Sequence, residues 1–277
     1  MNGAAIGTEA ATDLTKIELR NIGRVFQVGR GELVALRDIN LKVGEQEFVC
    51  IVGPSGCGKS SLLRMLAGLD KPSSGTLNIR QNDPKRLLSA TVFQEESVFP
   101  WLNVEANAAY ALKITGRYDS RTSPQRVDYF LEQTGLAPYR RFYPHQLSGG
   151  MKQRLSIARA FVPQPEVLLM DEPFAALDEQ NKLLLQQELE KLWEESRSAV
   201  VFITHSIDEA ILLGDRVVVM TSAPGRIKAD IPIPFKRPRQ LSEIKATSEF
   251  GQLYGQIWNL LRDEVLAARA RSAASAA

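Results

Sequence analysis

The spacing of apolar residues changes along this chain, and each change marks a different kind of element. Between residues 17 and 43 apolar positions alternate with polar ones, with Ile17 and Leu19, then Ile39, Leu41 and Val43, on period-2 faces. That rhythm predicts a small antiparallel sheet with one buried face. The run Phe48-Val49-Cys50-Ile51-Val52 is instead apolar throughout, as a strand covered on both sides of a parallel sheet must be. Similar runs recur at 167–170, 200–204 and 217–220, and between the first two Leu185, Leu189 and Leu192 share one helical face. Strand alternating with helix predicts a parallel α/β sheet. From about 95 to 162 strand signals vanish, and helical patterns broken by Gly116, Pro124, Gly135, Pro138 and Pro144 predict a helical lobe inserted into that core. Residues 71–75 read as a turn before a strand at 76–79. Residues 1–15, rich in Ala, Thr and Gly, are expected to be disordered. A Pro-, Gly- and basic-rich segment at 224–238 leads to a last amphipathic helix with Phe250, Ile257, Leu261 and Val265 on one side.

Composition mainly excludes. A net charge of +2 over 277 residues is too small to argue for nucleic acid. No apolar run approaches the ~18–20 residues that span a bilayer. Residues 1–15 hold no Lys or Arg and lack the regions of a signal peptide. The two cysteines, Cys50 in the apolar run and Cys57 in a loop, do not suit a disulfide, so a reducing, cytoplasmic setting is expected.

Candidate chemistry begins directly after the first apolar run, at Gly53-Pro54-Ser55-Gly56-Cys57-Gly58-Lys59-Ser60. The glycines let backbone N–H groups turn toward phosphate, Lys59 reaches the β/γ-phosphates, and the Ser60 hydroxyl can ligate Mg²⁺. Ser61 continues into a helix whose N-terminus favours the anion. A strand before and a helix after make a chance glycine-rich turn a poor explanation, so nucleotide binding follows. Beside Lys59 at a helix start, the Cys57 thiol is expected to have a lowered pKa, to react with maleimide, and to be protected by MgATP. A second helix start, Leu147-Ser148-Gly149-Gly150-Met151-Lys152-Gln153-Arg154, offers another anion site. The run at 167–170 ends in Asp171-Glu172, where α/β sheets place ligands.

The string Leu-Ser-Gly-Gly-x-x-Gln-Arg resembles the signature of ATP-binding cassette (ABC) ATPases. The resemblance covers roughly residues 16–265 and is strongest at 53–60, 147–154 and 171–178. It implies a P-loop NTPase (RecA-like) α/β core with a parallel sheet, a small antiparallel β subdomain and an inserted helical subdomain. It also implies ATP and Mg²⁺, and a homodimer in which Ser148, Gly149 and Gly150 of one copy cap the phosphate held by the other. Asp171 resembles the Walker B aspartate that holds Mg²⁺, and Glu172 the carboxylate that polarises the attacking water. His205, in the frame Thr204-His205-Ser206-Ile207-Asp208-Glu209-Ala210, resembles the switch histidine. Gln94 resembles the glutamine that reaches Mg²⁺ and senses the γ-phosphate, and Phe26 the aromatic that stacks on adenine. Asp178 resembles the residue of the loop that crosses the dimer interface, and an N-cap for the following helix is compatible with that role. Ala175 stands where many members have serine. His145 is read as a packing or capping residue.

Residues 98–104 with Asn107, centred on Pro100-Trp101, resemble the nitrate, sulfonate and taurine importer branch, in which this surface receives a helix of the membrane subunit. The expectation is an ATPase subunit on the cytoplasmic face of the inner membrane, peripheral, serving an importer of a small anionic solute with a permease and a solute-binding protein. An exporter subunit or a soluble ABC ATPase is the alternative. The expected divisions are a tail at 1–15, the ATPase domain at 16–240 with its helical subdomain near 95–162, and a helix and tail at 241–277.

Overall fold

The computed structural model describes residues 14–29, 31–94, 97–175 and 177–276. Most of the N-terminal expectation lies outside the described residues. Leu14 and Thr15 nevertheless belong to the fold, since the Glu45 N–H donates to Leu14 O at 2.8 Å and Thr15 opens the first strand.

Strands β1 (Thr15–Val28) and β2 (Gly31–Gly44) form the antiparallel pair that alternation predicts. After β3 (Phe48–Val52) the chain returns as β4 (Ser74–Ile79) to the free edge of β1, giving a three-stranded sheet in the order β2-β1-β4. The predicted turn at 71–75 is therefore shorter than expected, because Ser74 already pairs with Gly23. The main sheet joins β3 to β5 (Ser89–Val92), β6 (Val167–Asp171), β7 (Ala199–Ile203), β8 (Arg216–Met220) and β9 (Ile227–Pro232) in the order β5-β6-β7-β3-β8-β9. The first five in that order run parallel and β9 is antiparallel. Strand β9 was hidden within a segment expected to be irregular. It sits at the edge, where a terminal proline costs no ladder bond.

The apolar runs are continuous because both faces of this sheet are covered. Phe48, Cys50 and Val52 face one core with Leu168, Met170 and Phe202, while Val49 and Ile51 face another with Leu169, Val201 and Ile203. The second core is closed by the antiparallel sheet and helix α1 (Lys59–Leu66). The first is closed by α2 (Val104–Ile114), α3 (Ser123–Gln133), α4 (Gly149–Phe161), α5 (Glu179–Ser196) and α6 (Ile207–Leu213). Helices α2, α3 and α4 come between β5 and β6 in the chain, in the region predicted to be a helical lobe.

The C-terminal region is two helices rather than one, α7 (Leu241–Lys245) and α8 (Ser248–Ala276). Phe250 and Ile257 are buried, whereas Val265 is exposed. The basic segment before α7 is held by Arg239, whose guanidinium donates to Leu212 O and Gly214 O, each at 2.9 Å, at the end of α6. Burial, with Arg237 nearby, brings its pKa down to about 10. Among the described residues no helix is long and apolar enough to cross a membrane.

Candidate functional site

Strand β3 delivers the chain into the loop 53–60, which is shaped by backbone that only glycine adopts easily. Gly56 and Gly58 have φ of +74° and +99°. A Cβ on Gly58 would fall 2.6 Å from Leu36 Cδ2 and 3.0 Å from Ala35 O, so size and conformation both exclude a side chain there. Lys59 opens α1 and is only 7% exposed. It donates to Gly53 O at 2.7 Å and Pro54 O at 3.1 Å, which satisfies a buried charge that would otherwise be costly. Ser60 and Ser61 follow on the first turn of α1, and Pro54 and Ser55 complete the loop.

Cys57 departs from expectation. Its side chain is fully buried, and burial pushes the thiol up in pKa, outweighing the pull of Lys59. The helix start and the ammonium favour a thiolate, but removing the sulfur from water costs more. Cys57 therefore packs beneath the loop as a small apolar residue, and the expectation of a reactive thiol protected by MgATP is corrected.

The order of the strands assembles the remaining groups. Neighbouring strands β5, β6, β7 and β3 end respectively near Gln94, at Asp171-Glu172, before His205, and at the loop 53–60. Residues far apart in sequence thus line up along one carboxyl edge, where α/β sheets place ligands. His205 Nδ1 lies 3.0 Å from Glu172 Oε2, and Gln94 Nε2 donates to the same oxygen at 3.4 Å. Glu172 takes φ +46°, unusual for a residue with a Cβ, while its N–H donates to Ile203 O at 2.9 Å. That bond to β7 fixes the turn that lifts the carboxylate off the sheet edge. Lys59, Ser60, Gln94, Glu172, His205 and Phe26 share the lining of a cleft of about 440 Å³. The Arg24 guanidinium sits 4.5 Å over the Phe26 ring. A cavity of about 530 Å³ beside Trp193 and Arg237 is larger but contains none of these groups.

Asp171 is the group most suited to a metal ion. It is 8% exposed, and its Oδ1 has no hydrogen-bond partner among the described residues. Burial raises its pKa, the Ser60 side chain opposes that, and the charge of Glu172 adds to it. Asp171, Ser60 and Gln94 line one cavity of about 410 Å³. One carboxylate, one hydroxyl and one amide oxygen are hard donors that fit Mg²⁺, which also keeps water and phosphate oxygens around it.

The cleft lining includes none of Ser148, Gly149, Gly150 or Asp178. Ser148 caps α4 by accepting the Met151 N–H at 3.3 Å, and Asp178 caps α5 by accepting the Asn181 N–H at 3.0 Å. Both sit at exposed or half-buried helix starts. His145 is exposed and stacks on Tyr143 at 6.0 Å, rather than packing or capping. Pro100 is exposed and Trp101 is 68% exposed, so the tryptophan is no part of the core.

Comparison with known proteins agrees with this geometry. The family model described as ABC transporter matches residues 36–175, about half of the chain, taking in the loop 53–60, Gln94, Ser148 and Asp171-Glu172. The nitrate import ATP-binding protein NrtD of Synechococcus elongatus is 45% identical over 240 residues, 84% of this chain and 86% of its own length. The bicarbonate transport ATP-binding protein CmpD of a Synechocystis species is 39% identical over 245 residues, 86% of each chain. Among solved structures, a dimeric ATP-binding cassette in a post-hydrolysis state with ADP and Pi matches with a TM-score of 0.70 at 31% identity, covering 79% of this chain and 100% of that one. The phosphate loop, the carboxylates at the strand edge and these relatives agree, and the chain belongs to the ABC transporter family as an ATP-binding cassette.

Proposed function

We propose that this chain hydrolyses ATP to energise an importer of a small anionic solute of the nitrate or bicarbonate kind. The observation that carries the proposal is the convergence of Gln94, Asp171, Glu172 and His205 beside the loop 53–60. Relatives whose names state nitrate import and bicarbonate transport support the solute class. In this reading Phe26 stacks on adenine and the loop N–H groups with Lys59 bind the phosphates. Lys59 exchanges the carbonyls of Gly53 and Pro54 for β/γ-phosphate oxygens. Glu172 accepts the proton of the attacking water, and its carboxylate is oriented for this by His205 and Gln94. Asp171, Ser60 and Gln94 would hold Mg²⁺, which would supply charge neutralisation on the phosphates.

Ser148, Gly149, Gly150 and Asp178 lie apart from the cleft of their own chain, which supports a role toward a second copy in an ATP-bound homodimer. A dimeric solved relative is consistent with that arrangement. Pro100 and Trp101 offer an exposed docking surface for a permease at the cytoplasmic face of the membrane, where a solute-binding protein would deliver cargo from the other side.

The test is a pair of variants. Lys59→Ala should lose ATP binding. Glu172→Gln should keep binding, lose roughly 10²–10⁴-fold in hydrolysis, and accumulate an ATP-bound dimer resolved by size-exclusion chromatography. Parental turnover in Glu172→Gln would remove the glutamate from the chemistry.

A further inference from the structure

Helix α5 begins after Asp178, and α6 begins after Ser206, the residue that follows His205. One turn into α5, the Lys182 N–H donates to Asp178 O at 2.9 Å, and the Lys182 ammonium reaches Glu209 Oε1 at 2.8 Å. Glu209 lies early in α6 and accepts the Thr204 hydroxyl through its other oxygen, Oε2. That hydroxyl in turn accepts the Ser206 N–H at 3.0 Å, closing the turn whose middle residue is His205. A continuous polar path thus runs from the Asp178 loop to the residues flanking the histidine. His205 itself meets Glu172 at 3.0 Å.

This pair is not an ordinary surface ion pair. The Lys182 and Glu209 side chains are 18% and 5% exposed, so losing one partner leaves the other charged and largely desolvated. An apolar pair of similar volume would hold two helices together at no greater cost. It would not fix the Thr204 hydroxyl, and through it the turn that aims His205. Neither Lys182 nor Glu209 lines the cleft, so neither acts on substrate directly.

We infer that Lys182 and Glu209 are positioning residues whose ion pair couples the loop carrying Asp178 to the turn carrying His205. The placement of the histidine against Glu172 then depends on where the Asp178 loop sits. The inference rests on the ATPase reading above and deepens it. If Asp178 meets a second copy, the pair carries that contact to the catalytic edge, and each site is aligned only when the dimer closes.

The experiment measures steady-state ATPase of the purified full chain against ATP concentration, with rates normalised to nucleotide-binding sites and melting temperatures recorded in parallel. Lys182→Met and Glu209→Gln should each lower kcat by roughly tenfold or more, since small misplacements of catalytic groups have effects of that order. The KM for ATP should stay within about twofold, as expected when ground-state binding is untouched. Glu209→Gln retains a hydrogen-bonding partner for Thr204, which guards against simple unfolding. The double variant Lys182→Met/Glu209→Gln should be no slower than the slower single variant, because both remove one interaction. Lys182→Arg should keep near-parental turnover. Normalised kcat close to parental in both single variants, independent losses that multiply in the double variant, or a slow Lys182→Arg would each overturn the coupling. Glu172→Gln in the same assay separates the two readings. If it is inactive while Lys182→Met turns over normally, only the coupling falls. If it turns over normally, the reading of the cleft falls and the coupling with it.

Discussion

Asp171 combines burial, one oxygen without a partner and a raised pKa, which makes it costly to the apo fold and useful to a bound cation. A carboxyl whose pKa is raised on folding destabilises the folded state wherever it is ionised. The penalty is complete above the folded pKa and disappears below the unfolded value, near ~3.9. Asp171→Asn should therefore melt at or above the parental temperature at pH 7 while losing MgATP-dependent hydrolysis, and its advantage should shrink as pH falls toward 4. Thermal melts across that range, without nucleotide, check the sign. A lower melt at pH 7 would mean that the carboxylate is already compensated by Ser60 and Lys59. Cys57 shows the same competition with the other outcome for function. The chain order Cys57-Gly58-Lys59 spoke for activation, but a side chain turned beneath the loop is governed by desolvation. Nothing in the local sequence states which way a side chain points from a glycine-rich turn.

At the scale of elements, α2 and the loop before it form one unit through Asn107. This residue is fully buried; its Oδ1 accepts the Phe99 N–H at 2.8 Å, and its Nδ2 donates to Phe99 O, Leu102 O and Asn103 O at 3.1, 2.9 and 3.1 Å. Asn103 adds the N-cap, accepting the Ala106 N–H at 2.8 Å. The loop presenting Pro100 and Trp101 is thus folded against its helix by an amide that matches nearly all its hydrogen-bonding capacity. Asn107→Ala strands these backbone groups and should cost about 1–3 kcal/mol, lowering the melting temperature by several degrees. A parental melt would show that water or a shifted loop satisfies them as well. The pattern of apolar residues made β3, β6, β7 and β8 legible, since each is short, continuous and buried on both faces. It hid β9, because Pro224, Pro232, Pro234 and Pro238 read as irregular although Ile227, Ala229 and Ile231 keep a period of two.

For the whole molecule, the exposed aromatic surface is tied by ring and guanidinium contacts to the helical lobe. Trp101 packs on Phe99 at a centroid distance of 5.4 Å, and Phe99 lies 5.0 Å below the Arg159 guanidinium, which donates to Ser97 O at 2.6 Å. Ser97, the last described partner in this chain of contacts, is three residues from Gln94 in sequence. Trp101→Ala should leave melting and ATP affinity of the isolated chain near parental while weakening co-purification with the membrane subunits by about thirtyfold in affinity, or ~2 kcal/mol. A large drop in melting temperature would mark Trp101 as a packing residue, and undiminished co-purification would place the docking surface elsewhere.

The sequence by itself determined the phosphate loop, the acidic strand end, the helix start at Ser148 and the alternation of strand and helix. These are local patterns, in which residue types and spacing directly encode backbone shape and burial. Only the tertiary structure decided the strand order β5-β6-β7-β3, which brings Gln94, Glu172, His205 and Lys59 to one edge. It alone showed that Cys57 faces inward and that Lys182 meets Glu209. Each depends on pairing between segments distant in the chain, where periodicity sets which face is buried but not which neighbour it is buried against.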